Sequence, residues 1–379
     1  MIQTSKYKHI VLVGGGHTHA LLLKQWIKNP LPGTRLSLIS PQNLTPYSGM
    51  LPGLIAGHYT YEDIHIDLPA LCAAANVEFL QASVFGINPD SKTLQIHQDQ
   101  ELHYDLLSLD IGSTPDHSVP GVHEYAIPVK PIATFYQHWL KVQQKITAAQ
   151  NKQKLVLIGG GAGGVEVMLA MAWALENNPQ SRNKTEYSLA FGTADLLPAY
   201  PKKTVTLVKQ LCRVREIKIY PNFSVKLVAE PALISHSSET LTYDHLFWCT
   251  QASAADWLAK SGLACNQDGF VRVNQFLQSI SHDDIFAAGD IAHMDLDPRP
   301  KAGVYAVRQA PYLYENIRNH LLNEKLTAYK PQDNFLSLLS LGNKVACAYK
   351  KPFPVFSGAW VWRWKNHIDQ TFMDQFRHL

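Results

Sequence analysis

The sequence predicts an α/β fold built on two nucleotide-binding units, from two glycine-rich turns and the apolar runs that lead into them. Gly14-Gly15-Gly16-His17-Thr18-His19 follows the run His9–Val13, and about 145 residues later Gly159-Gly160-Gly161-Ala162-Gly163-Gly164 follows Leu155–Ile158. A strand that feeds such a turn and then an apolar helix sets backbone N–H groups and the positive helix end against a pyrophosphate. Glycines stand where a Cβ would collide with that ligand. Two such units imply two bound dinucleotides and a pair of Rossmann-like domains. Because hydride transfer sets a donor and an acceptor ring face to face, the economical pair is FAD with NADH or NADPH.

Composition agrees with two or three well-packed domains: 379 residues, 46% hydrophobic and 17% charged, enough to bury a substantial core. A net charge of +3, with Lys and Arg scattered along the chain, argues against a nucleic-acid partner. Residues Met1–Lys8 run straight into the first strand, and no apolar stretch reaches the roughly 18 residues of a membrane span. The expectation is a cytoplasmic protein without a signal peptide. Cys72, Cys212, Cys249, Cys265 and Cys347 are odd in number and lack C-x-x-C spacing, which argues against a disulfide framework, a metal site and a redox dithiol.

In chain order, the first unit runs from the strand at His9 through a helix over Ala20–Lys28 to a strand over Arg35–Ser40, with Asn29-Pro30 and Pro32-Gly33 ending the helix. The loop Pro41–Gly57 is rich in turn formers and precedes strands at Val77–Leu80 and Leu94–His97. The run Leu106–Asp110 then meets Ile111-Gly112-Ser113-Thr114-Pro115. Pro115–Pro131, punctuated by Pro and Gly, reads as a connection into the second unit. That unit has a helix over Thr134–Gln150, the strand Lys154–Ile158, a helix over Val165–Glu176 and strands at Tyr187–Phe191, Ile217–Tyr220, Val225–Val228 and Leu246–Thr250. Asp284–Ala292 follows as an apolar strand closing in Gly289-Asp290, and Ala302–Asn316 as a helix. Finally Trp364, Ile368, Phe372 and Phe376 recur every four residues, with Lys365, Asp369, Asp374 and Arg377 elsewhere on the wheel. This predicts a short amphipathic helix that packs on its own domain or a second copy of the chain, or lies in a membrane interface.

The order of glycine turn, Ile111-Gly112-Ser113-Thr114-Pro115, second glycine turn and Ile285-Phe286-Ala287-Ala288-Gly289-Asp290 resembles the FAD-dependent pyridine nucleotide-disulfide oxidoreductase superfamily. The resemblance implies a nicotinamide domain inserted into a discontinuous FAD domain. Residues 1–118 and 252–325 would form the FAD domain, 119–251 the NAD(P)H domain and 326–379 a C-terminal segment. Within the superfamily, Gly159–Glu166, Gly289-Asp290 and the Pro46–Gly57 loop look like type II NADH dehydrogenases, which pass electrons to quinone. Tyr47-Ser48-Gly49-Met50-Leu51-Pro52-Gly53, Gly16–His19 and Pro300–Gln309 are more similar to the flavoprotein module fused to some selenophosphate synthetases (selenide, water dikinase).

What the resemblance implies for single residues follows from the matched positions. Gly14 and Gly16 are the close-approach glycines, His19 takes the third glycine's place, and His17 lies between them. Surface or loop histidine is the alternative for both His17 and His19. Ser40 stands where a carboxylate usually binds the FAD ribose. Tyr47, Gly112, Gly289, Asp290, Gly303 and Val304 complete the FAD set, with Asp290 bonding the ribityl or phosphate-proximal hydroxyls. Lys301 precedes a helix whose start would lie under the flavin, and Gly159, Gly161 and Gly164 bind the nicotinamide dinucleotide. Glu166 falls near the flavin–nicotinamide meeting point, its alternative being an ordinary helix-start glutamate. Phe191 replaces the acid that selects NAD over NADP, and Gln251 departs from the usual Thr-Gly pair.

The loop Thr45–Gly57 holds no cysteine, and only Cys249 and Cys347 are even candidates near a flavin, so electrons leave the flavin directly. The paired glutamines of the quinone helix fall on Val304 and Arg308. The expected function is an FAD-dependent NAD(P)H dehydrogenase with an unidentified small-molecule acceptor. A membrane-associated quinone reductase and a flavin-binding redox partner or sensor in selenium metabolism are the alternatives.

Overall fold

The structure, a computed structural model, describes residues 7–377 apart from 98, 99, 117 and 251. Gln251 and residues 1–6 therefore lie outside the described residues. Strand β1 (Lys8–Val13) is continuously apolar from Ile10 onward because both faces of its sheet are covered there. Ile10 and Leu12 pack with Leu22, Leu23 and Trp26 on one face, while Val11 and Val13 enter a separate core on the other. β1 pairs in parallel with β2 (Thr34–Ser40), β2 with β3 (Glu78–Gln81), and β1 on its other side with β4 (Leu106–Leu109).

The chain then builds a second parallel sheet from β5 (Ile127–Pro128), β6 (Gln153–Ile158), β7 (Thr185–Ala190), β8 (Ile217–Tyr220) and β9 (His245–Trp248), arranged β5-β9-β6-β7-β8. Only afterwards does β10 (Ile285–Ala287) join the first sheet beside β4, giving the order β10-β4-β1-β2-β3. A parallel strand needs a long crossover, and here one crossover contains the whole second sheet.

Helix α1 (His17–Lys28) starts three residues before the sequence expectation. Gly14, at φ +94°, makes the turn into it where any side chain would strike the backbone of Asp110. His19 fills the third glycine's place without leaving its ring unsatisfied: Nδ1 bonds the Gly14 carbonyl at 2.7 Å and Nε2 the Ser108 hydroxyl at 2.8 Å. Helix α2 (Ile132–Ala148) leads into the second sheet, and α3 (Ala162–Asn177) follows its glycine turn, buried along most of its length. Helix α4 (Gly303–Leu322) returns across α1.

The C-terminal segment is an antiparallel sheet, β11 (Ser337–Ser340), β12 (Ala346–Tyr349) and β13 (Phe356–Gly358), followed by α5 (Ala359–Arg377). The expected apolar face of α5 is corrected here. The buried row is Val361, Lys365, Asp369, Met373 and Phe376, whereas Trp364 and Ile368 face outward, 40% and 36% exposed. Polar partners turn the helix. Lys365 Nζ donates to the Gly49 carbonyl and to Asp369 Oδ2, each at 2.6 Å, and Tyr59 donates to Asn366 Oδ1 at 2.7 Å. Phe372 lies between the two rows and stacks on Tyr47, ring centroids 4.4 Å apart.

Candidate dinucleotide and electron-transfer site

The carboxyl end of the first sheet gathers the first glycine turn, Asp110, Gly112 and Gly289-Asp290, as expected where α/β sheets bind ligands. Gly16 and Gly289 both turn their side-chain-free faces onto the Asp110 carboxyl, and a Cβ at either would collide with it. Asp110 Oδ2 accepts from the His19 backbone N–H at 3.0 Å. Burial pushes its carboxyl up to about 7; the His19 N–H opposes this and the nearby Asp290 charge adds to it. A Cβ at Gly112, φ +72°, would meet nothing within 4 Å.

Neither His17 nor His19 is a surface or loop histidine, which corrects that alternative. Burial lowers both, His19 to about 4, so both rings are neutral near pH 7. His17 sets its edge against Tyr47 and Phe372, at 5.4 and 6.0 Å between centroids, and its buried Nε2 has no partner. Gly303 at the start of α4 adjoins the same ring, and Val304 beside it is half-buried. Ser40 Oγ, by contrast, donates to the Gln42 carbonyl at 3.0 Å within its own turn.

Asp290 Oδ2 accepts from Lys130 Nζ at 2.8 Å and from Ser113 Oγ at 3.0 Å. Burial pushes this carboxyl up, but Lys130 outweighs it and the group titrates below its usual range. Lys301 directly precedes the N-cap of α4, as expected, but its side chain turns toward the end of β10. Its Nζ donates to the Ala292 carbonyl at 2.7 Å and sits over the Phe270 ring, 4.0 Å from the centroid; burial lowers it to about 8.

In the second turn, Gly164 packs so tightly on the Gly159 carbonyl that a Cβ has no room, while Gly161 opens onto empty space. Thr250 Oγ1, beyond β9, is buried without a partner. Phe191 is buried against Gly160, so no carboxylate ends β7. Cys249 is pushed up to about 11 by burial, leaving a thiol. Glu166 lies beyond the first turn of α3, is half-buried, and its Oε1 accepts from the Ser340 N–H at 2.6 Å. It is therefore not an ordinary helix-start glutamate. Burial pushes it up to about 7 against the pull of Lys365. Burial also raises Tyr47, whose hydroxyl bonds Asp369. Glu166, Lys365, Asp369 and Tyr47 thus form one buried cluster between α3 and α5.

Sequence reasoning missed Asp110, Lys130, Ser340, Lys365 and Asp369. Asp110 carried a signal, since it ends an apolar strand at the sheet edge where ligands bind. The others carried none without their distant partners.

The residues fit two dinucleotides. Helices α3 and α4 begin without a capping bond from the N-cap side chain or an acid in the first turn, so their positive ends suit anions; α1 has no such cap of its own, but its His19 N–H is bonded by Asp110 from beyond β4. The fold and the paired cradles define a two-dinucleotide flavoprotein oxidoreductase. A profile of the pyridine nucleotide-disulphide oxidoreductases matches residues 5–310, and the chain belongs to that family. It is an FAD-dependent NAD(P)H oxidoreductase.

Among its relatives, ferroptosis suppressor protein 1 of Xenopus tropicalis is 24% identical over 295 residues, covering 70% of this chain and 69% of the relative. Sulfide-quinone reductase of Aquifex aeolicus is 21% identical and covers 98% of this chain and 91% of its own. The solved structure of NDH2 from Plasmodium falciparum in complex with NADH superposes with a TM-score of 0.81 at 17% identity, over 98% of this chain and 97% of that one. Among the described residues no helix is long and apolar enough to cross a membrane, and no group of three or more His, Cys, Asp or Glu side chains is placed to hold a metal ion.

Proposed function

We propose that this oxidoreductase passes electrons from NAD(P)H to a quinone. The observation that carries the reading is the buried cluster of Glu166, Lys365, Asp369 and Tyr47. A quinone becoming a quinol takes up two protons with two electrons, whereas a one-electron metal complex takes none. A carboxyl titrating near 7 holds the proton such a reaction consumes. The names of two relatives, sulfide-quinone reductase and type II NADH:quinone oxidoreductase, support the same acceptor.

FAD held in the first cradle would supply the hydride-accepting ring between the nicotinamide and the quinone. Gly14, Gly16, His17, Ser40, Tyr47, Gly112, Gly289, Asp290, Gly303 and Val304 surround FAD, while Gly159, Gly161 and Gly164 receive the NAD(P)H pyrophosphate. Glu166 holds the transferred proton. Lys301 positions the Gly289–Ala292 segment through the Ala292 carbonyl. The domain division runs 1–118, 119–251, 252–325 and 326–379, supported by the late return of β10 to the first sheet. Phe356, Trp360, Trp364 and Ile368 are exposed around the start of α5 and dock the cytoplasmic protein peripherally on a membrane.

The test compares acceptors in the full chain with Glu166→Gln. Quinone-analogue reduction falls about tenfold or more, while anaerobic flavin reduction by NADH or NADPH and turnover with ferricyanide stay near wild type. In the wild type, quinone reduction declines as pH rises through about 7, where Glu166 loses its proton. Equal losses with quinone and ferricyanide, or no turnover with any quinone, overturn the reading.

A further inference from the structure

Asp110 is a buried carboxyl that the quinone reaction does not use, yet it lies inside the first cradle. It is 3% exposed. Its oxygens lie where a Cβ on Gly16 would point, and Gly16 is the glycine that allows backbone to approach a pyrophosphate. The same carboxyl faces Gly289 from across the site and caps α1 through the His19 N–H. It therefore occupies the helix end at which an anionic diphosphate binds.

No cation compensates it: among the described residues no ion pair involves Asp110, and Lys130 is paired with Asp290. The groups facing it from every packed element are accounted for. From α1 come His17 and His19, both neutral near pH 7, and Thr18, whose backbone N–H and hydroxyl bond the carboxyl and oppose its upward shift, the hydroxyl also lying 3.0 Å from the Ala306 carbonyl. Ser108 on β4 is bonded to His19, and Gln309 on α4 accepts from the Gly289 N–H. Beyond β10 stands Asp290, ionised and adding like charge, with Lys301 near it.

We propose that Asp110 is a binding residue for FAD that acts in its neutral form, donating its proton in a hydrogen bond to the diphosphate, so that FAD affinity is linked to protonation of this one carboxyl. As a carboxylate it would set a second buried anion against the diphosphate, a repulsion that the neutral acid avoids. Its burial already pushes it up to about 7, and the diphosphate charge would drive it higher. The sign follows. Below about pH 7 the proton is present before FAD binds, and affinity is flat. Above that, each binding event must take up a proton, and affinity falls by up to about tenfold per pH unit until the bound-state value is passed. Asp290 does not mimic this, because its carboxyl stays ionised throughout the same range.

The experiment measures FAD retention by the full-length holoprotein. Samples are diluted at fixed ionic strength between pH 6 and 9, and released FAD is read by recovery of its fluorescence. The wild-type dissociation constant is expected to rise about tenfold or more between pH 6.5 and 8.5. Asp110→Asn, whose amide still accepts from the His19 N–H and donates toward the ligand, is expected to bind with one affinity throughout, near the wild-type value at low pH. Calorimetry of FAD binding to wild type at pH 8, in two buffers of different ionisation enthalpy, is expected to show uptake of about half to one proton; this arm stands even if the variant does not fold. A pH-independent wild-type affinity, an absence of proton uptake, or an unchanged slope in Asp110→Asn (which would move the effect to a histidine) overturns the proposal.

Discussion

Two aspartates within one site behave in opposite ways because their neighbours differ. Asp290 is paired with Lys130, which lies on the segment entering the second sheet, so the ion pair ties that segment to the return of the first. Its ionised form is stabilised, and the contribution is lost only as pH falls through its lowered value, well below 6. Asp110 has no such partner and titrates near neutrality. Asp290→Asn removes a charge-assisted bond of about 1.5 kcal/mol, so FAD affinity measured by fluorescence titration is expected to fall about tenfold, by the same factor at pH 6.5 and at pH 8.5. A loss that depended on pH would show that Asp290 shares the titration of Asp110. Asp290 was legible in the sequence through its Gly-Asp motif, whereas the Lys130 side chain that binds it sits 160 residues away.

At the scale of elements, α5 carries two rows that do different work. Val361, Met373 and Phe376 are buried, each contributing about 1.5–3 kcal/mol, and Met373 and Phe376 belong to the core that packs on α1. Lys365 and Asp369 are 8% and 5% exposed, and a buried pair of this kind is destabilising when only one partner is removed. Trp360, Trp364 and Ile368 take no part in that packing. The triple substitution Trp360→Ser, Trp364→Ser, Ile368→Ser is therefore expected to abolish co-sedimentation with anionic liposomes while FAD content and anaerobic flavin reduction stay at wild-type levels. Deleting the segment after β13 is expected instead to unfold the protein and shed FAD. Liposome binding that survives the triple substitution would remove the docking role of this row. The existence of the helix was legible in its four-residue spacing. Which row turned inward was not, because hydropathy alone sends Lys365 and Asp369 to water.

At the scale of the whole molecule, electron transfer is expected to proceed without a thiol. Cys72, Cys212 and Cys347 are buried, and burial raises each thiol. Cys249 and Cys265 are raised by the same cause. None is held as a reactive thiolate. Replacing all five by alanine is expected to leave anaerobic flavin reduction by NAD(P)H within about threefold of wild type, checked by stopped-flow absorbance. Loss of that half-reaction in a variant that still binds FAD would reveal a thiol step. The two sheets are joined covalently twice, since β10, which follows the second sheet in the chain, completes the first.

By itself the sequence determined the two strand–turn–helix cradles, the pair of dinucleotides they bind and the absence of a cysteine pair in the Thr45–Gly57 loop. These are local: turn geometry, close approach to backbone and a free helix end are all set within a dozen consecutive residues. Tertiary structure alone decided the buried face of α5, the buried carboxyl beneath Gly16 and the cluster around Glu166. Each depends on bringing charges out of water against partners far apart in the chain, 174 residues between Glu166 and Ser340 and 316 between Gly49 and Lys365. A periodicity shows which residues are apolar, but whether a buried charge is tolerated depends on what the folded chain sets beside it.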